Sequence, residues 1–91
     1  MTRPPRDPAI QDFIDRVGKN IRRRRKLLGM TMQDVSSSLS CGYRQVSKWE
    51  RGENVPSFYT MLQLCSILRT GDLLPFIEGT PFHPSRSKDN D

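Results

Sequence analysis

The sequence is short of the residues that most chemistries need: two cysteines, one tryptophan and one histidine among 91 residues, and no apolar run approaching the ~20 residues of a membrane span. Each scarcity closes a class of function. Cys41 and Cys65 are too few and too widely spaced for a zinc site of the Cys-x-x-Cys kind, and each falls on an expected apolar face. They are expected as buried free thiols in a reducing compartment, not as a disulfide. The sole histidine, His83, lies in the C-terminal segment, and spacing places no general base beside Ser36, Ser37 and Ser38. With no metal-ligand cluster, no phosphate loop and no nucleophile with a placed base, neither an enzyme nor a bound metal or cofactor is expected. The opening residues MTRPPRDPA contain no hydrophobic signal core, so the expected setting is the cytoplasm, without membrane contact.

Acidic residues are the other shortage. Asp and Glu number 10 against 15 Lys and Arg, which leaves a net charge of +5 and a pI near 9.8. The positive charge is concentrated in residues 22–26 and 44–51, a pattern that suits a polyanion gripped at defined places better than diffuse attraction to a membrane or ribosomal surface. What is present describes one small globular domain. Hydrophobic residues make up 34% and charged ones 27%, while the seven prolines gather mainly at the two ends. Residues 1–7 read as a flexible basic arm, 8–78 as the folded domain and 79–91 as a disordered tail, leaving about 70 residues for a core. The arginines of the arm can reach a phosphate, although disorder without a role is the simpler reading.

Periodicity predicts an all-α domain of five helices. Asp7-Pro8 starts the first, with apolar residues at Ile10, Phe13, Ile14, Val17, Ile21 and Leu28, so it should run over about residues 8–28. The run Arg22-Arg23-Arg24-Arg25-Lys26 covers more than one turn of that helix. At 100° per residue, Arg25 falls about 40° from Ile21 and Arg24 about 60° on the other side, so both flank the apolar stripe. A partly buried arginine needs a carboxylate, and Glu50 is the only acid in the third helix, beside Trp49. For the remaining arginines a solvated face and phosphate contact both stand.

Gly29 ends the first helix, Thr31 caps the second over residues 32–39 with Asp34 in its first turn, and a Ser-Cys-Gly break follows. The third helix has two faces. Val46 and Trp49 point to a core, while Tyr43, Arg44, Ser47 and Lys48 form a polar outer face suited to a DNA groove. Ser57 caps a fourth helix whose expected apolar face carries Phe58, Met61, Leu62, Leu64, Cys65 and Leu68. Gly71-Asp72 opens a short fifth, with Pro75 tolerated in its first turn. Its Leu73, Leu74, Phe76 and Ile77 are either a dimer contact or the closure of the core.

From Val17 to about Ile77, roughly two thirds of the chain, the sequence resembles the lambda-repressor-like DNA-binding domains, the Cro/XRE type of helix-turn-helix. The resemblance is carried by Val17-Gly18 with Ile21-Arg22 and Arg25, by Gly29-Met30-Thr31, by Val46-Ser47-Lys48-Trp49-Glu50-Arg51-Gly52, and by Pro56-Ser57 with Leu62, Leu64 and Leu68. The run VGKNIRRRRKLLGM looks particularly like small regulators of this type from alphaproteobacteria. The resemblance implies that Tyr43, Arg44, Ser47 and Lys48 read bases. It further implies that Thr31, Gln33, Arg51, Ser57 and Phe58 lie at phosphates, and that Arg25 and Glu50 form an internal ion pair. Three positions depart from the family pattern. Met32 stands where a glutamine usually opens the second helix, with Gln33 one place later; Ser36 replaces an alanine; and Ser40 replaces the glycine of the turn. A left-handed serine there costs about 1 kcal/mol, unless Gly42 lets the turn take another path.

The function expected is that of a sequence-specific transcriptional regulator acting at the bacterial nucleoid. It would bind double-stranded DNA as a homodimer on a two-fold related operator, with residues 43–51 as the recognition helix. Repression by occlusion or activation through polymerase would depend on operator position. The alternative from another class is a protein-interaction module, an antitoxin-like or adaptor protein that uses the fifth helix and the tail.

Overall fold

In the computed structural model, which describes residues 7–81, the Asp7 carboxylate accepts a hydrogen bond from the Ala9 amide at 2.8 Å and starts the first helix. Five helices follow: α1 Pro8–Leu27, α2 Met32–Leu39, α3 Tyr43–Glu50, α4 Phe58–Ile67 and α5 Leu74–Ile77. The all-α expectation holds, and among the described residues no helix is long and apolar enough to cross a membrane. The flexible arm and most of the tail expected from the sequence fall on residues 1–6 and 82–91, outside the described residues, as does His83. Within the described residues the chain continues past the expected boundary at 78. Thr80 is 2% exposed, and both its amide and its hydroxyl donate to the Ile77 carbonyl.

α1 is the spine of the domain. It packs against α3 and α5, while α2 packs against α3 and α4. Between them lies one apolar cluster of Val17, Ile21, Val35, Val46, Trp49, Leu64, Leu68 and Phe76. All five helices supply members, Leu68 from the end of α4, and each fully buried aliphatic or aromatic side chain contributes about 1.5–3 kcal/mol of apolar burial. Phe76 is wholly buried, so it belongs to this core and is withdrawn from the dimer surface expected of α5. It is the anchor of that four-residue helix. Leu73 and Ile77 are half-buried, and only Leu74 is open, at 49% exposure.

Two further sequence expectations are corrected here. The apolar residues of α4 do not share one face: Leu64 and Leu68 are fully buried, but Phe58 is 69% and Leu62 46% exposed. At 100° per residue Phe58 lies about 100° and Leu62 about 140° from the mean direction of Leu64 and Leu68, so neither shares the face that those two bury. The cysteines are half-buried, not buried, and both rest against the edge of the core.

Helix ends follow local chemistry. Thr31 and Asp34 form a reciprocal cap, the threonine hydroxyl accepting from the Asp34 amide at 3.0 Å and the Asp34 carboxylate from the Thr31 amide at 2.9 Å. These bonds hold the Asp34 carboxyl below its ordinary value of 3.8, the backbone bond first. α2 ends with Ser40 in the left-handed region (φ 57), and the Cys41 amide bonds back to the Ser36 carbonyl at 3.1 Å. Gly42 is extended (φ −81), so the turn takes no alternative path and the serine carries the strain.

Candidate nucleic-acid interface

The orientation of α3 is set from its inner side. Val46 is fully buried and Trp49 is 6% exposed, which turns the opposite face outward. At Gly18 of α1 the two helices come so close that a Cβ would overlap the Trp49 carbonyl oxygen. At the end of α3, Gly52 takes a left-handed turn (φ 77), and Gln11 of α1 donates to its carbonyl at 2.9 Å. α1 thus grips the C-terminal end of α3.

An ion pair completes that grip. Arg25 Nε donates to Glu50 Oε2 at 2.7 Å and Arg25 Nη2 to Glu50 Oε1 at 2.9 Å, in a two-pronged geometry. The arginine also donates Nη1 to the Met30 carbonyl at 2.9 Å, tying the turn before α2 to the same point. The side chains are 9% and 2% exposed. The guanidinium is held above its ordinary value, chiefly by its hydrogen bond to Glu50.

The outer face carries Tyr43, Arg44, Ser47 and Lys48. Tyr43 is 52% exposed, Arg44 and Lys48 are exposed, and Ser47 is half-buried between them. Arg51, just past the helix, continues the face with its Nη2 3.0 Å from Glu53 Oε2. Such an exposed pair is worth at most about 1 kcal/mol, so Arg51 can exchange its partner for a phosphate. Thr31, Gln33, Ser57 and Phe58 are all exposed at the first turns of α2 and α4. The Ser57 hydroxyl accepts from the Thr60 amide at 3.2 Å, and the Thr31 hydroxyl from Asp34. These caps leave the amides of residues 32, 33, 58 and 59 without a partner among the described residues, the arrangement in which a helix start can receive an anion.

Several structural roles were missed in the sequence. Asn20 is 3% exposed and donates its Nδ2 to the carbonyls of Phe76 at 2.7 Å and Glu78 at 2.9 Å, holding α5 against α1. A polar residue three places after Val17, and so within the apolar stripe, was the signal available. Arg24 donates Nε to the Leu68 carbonyl at 2.7 Å and Nη2 to the Arg69 carbonyl at 2.6 Å, capping the negative end of α4. Arg23 bonds Asn20 Oδ1 at 3.1 Å and approaches Glu78 at 3.7 Å. Arg23 and Arg24 therefore make tertiary contacts, a use that lies outside both readings open for them; Arg22 and Lys26 are exposed.

The sequence is similar to known proteins. Residues 21–72 match the helix-turn-helix family, a span of more than half the chain. The chain is also 34% identical over 53 residues to the HTH-type transcriptional regulator DicA of Escherichia coli (strain K12). That alignment covers 58% of this chain and 39% of DicA, so this chain matches well under half the length of that relative. The buried Arg25–Glu50 grip, the short α2–α3 turn and this match over 21–72 lead to one assignment: the chain belongs to the Cro/XRE type of helix-turn-helix DNA-binding domains.

Proposed function

We propose that this protein is a transcriptional regulator that binds double-stranded DNA sequence-specifically, lays residues 43–51 in the major groove, and acts in the bacterial cytoplasm at the nucleoid. The observation that carries this is the two-sided α3. Its inner face is immobilised by Val46, Trp49 and the Arg25–Glu50 pair, while Tyr43, Arg44 and Lys48 are presented to solvent. A rigid helix with exposed long polar side chains suits base reading, because the entropy of ordering the scaffold has already been met in the free protein. Arg44 is the best base reader, since its planar fork can bond guanine at two points. Thr31, Gln33, Arg51, Ser57 and Phe58 would lie along phosphates, through backbone amides at the starts of α2 and α4 and through the Arg51 guanidinium.

The DNA would be a two-fold related operator bound by a homodimer. One small module offers limited contact, and two half-sites about 34–36 Å apart supply both strength and specificity. Leu73, Leu74 and Ile77, joined by exposed Leu62, form the apolar surface that supports a subunit contact. That same surface also supports the second reading, in which it docks another protein.

Binding to an operator selected from random DNA tests the proposal. Arg44→Ala is expected to lose about 1–3 kcal/mol of discrimination at one base position, and Arg51→Ala to weaken all sequences alike. Equal losses on operator and random DNA for Arg44→Ala would remove that residue from base reading. Sedimentation on duplexes with one or two half-sites tests the dimer, which requires two chains on the full operator.

A further inference from the structure

We infer that the operator half-site is read through two guanines about two base-pair steps apart, one by Arg44 and one by Lys48. The inference rests on α3 being the recognition helix and says what that helix recognises.

Arg44 and Lys48 are one turn apart on the same exposed face. Neither has a carboxylate partner among the described residues: the acid of their own helix, Glu50, is taken up by Arg25, and the nearby Glu53 lies on Arg51. Both cations are therefore free to meet acceptors on DNA. In the major groove the base with two acceptors and no donor is guanine, through N7 and O6, which is the pattern that a cationic donor selects. Four residues of helix rise about 6 Å, close to two base-pair steps of ~3.4 Å each.

Adenine is poorly served on this face. Its two-point recognition needs a side-chain amide, which both donates and accepts, and positions 43, 44, 47 and 48 hold none. The two nearby amides are turned to other uses or directions. Gln33 Nε2 donates to Ser37 Oγ at 3.4 Å along its own helix, and Gln45 lies about 130° from the centre of the reading face. Ser47, small and half-buried between the two cations, lets them approach the groove floor.

Selection from a random DNA pool with the full chain, alongside Arg44→Gln and Lys48→Gln, tests this. The wild-type consensus should carry two guanines, on either strand, within one to three base pairs in each half-site. Arg44→Gln should bind that site about tenfold more weakly or worse and shift one of the two positions toward adenine, and Lys48→Gln should do so at the other. Replacing either guanine by 7-deazaguanine should weaken wild-type binding and leave the matching variant unaffected. Melting temperatures should not change, because both side chains are exposed. A consensus with A·T pairs at these positions, or guanine preference surviving both variants, overturns the inference while leaving α3 as a recognition helix. Enrichment of no consensus at all overturns the recognition-helix reading together with it.

Discussion

The two junctions that α1 makes are held by different chemistry. Against α3 the lock is side chain to side chain, Arg25 to Glu50, with both charges nearly excluded from solvent. Toward α5 and the end of α4 the lock is side chain to backbone: Asn20 holds the carbonyls of Phe76 and Glu78, and Arg24 those of Leu68 and Arg69. The first lock depends on the identity of two residues and sets the orientation of α3. The second depends on one residue at a time, because every residue offers a carbonyl, and it fixes the position of a helix too short to hold itself.

Breaking the first lock should have the largest effect. Arg25→Ala strands the Glu50 carboxylate in the interior and should cost about 3–5 kcal/mol in urea unfolding, a large share of the stability of a domain this size. Replacing both partners with apolar residues, Arg25→Met with Glu50→Leu, should recover most of it. A double variant as unstable as Arg25→Ala would refute the buried-charge explanation. Asn20→Ala should cost less, about 1–3 kcal/mol, through carbonyls left unsatisfied. Hydrogen exchange should rise first around residues 74–80. Substituting the side chains of Phe76 or Glu78 offers no compensation, since the acceptors are backbone.

Helix ends sharpen the same contrast on a smaller scale. α3 ends on Gly52, but α2 and α4 are followed by non-glycine residues in the left-handed region, Ser40 (φ 57) and Arg69 (φ 56). Ser40→Gly should therefore raise stability by about 0.5–1 kcal/mol, read as a higher melting temperature, with no loss of DNA affinity. The smallest effect belongs to the cap of α2. The Asp34 carboxyl is held below 3.8, so its stabilisation is present above that pH and is lost as pH falls through the lower folded-state value. Asp34→Asn should lower the melting temperature slightly at pH 7 and leave it unchanged near pH 2.

The five helices were legible because the local signals agree: Asp7, Thr31 and Ser57 each cap the helix that follows, and the apolar spacing of α1 to α3 has a helical period. The partnership of Arg25 with Glu50 was legible for a different reason. A cation beside an apolar stripe needs an acid, and the third helix contains one. The placement of Phe58 and Leu62 was not legible, because α4 is apolar nearly all round and periodicity cannot choose its buried face.

The sequence by itself determined the helices, their caps, the charge balance and the two-faced third helix, since each follows from residues within a few places of one another. Tertiary structure alone decided which apolar residues of α4 and α5 are buried and what the arginine run is for. Phe76 fills the core while Leu74 stays in solvent, and Arg24 caps a helix more than forty residues away. Those outcomes depend on which backbone carbonyls and which empty volume the folded chain brings together, and neither exists until it folds.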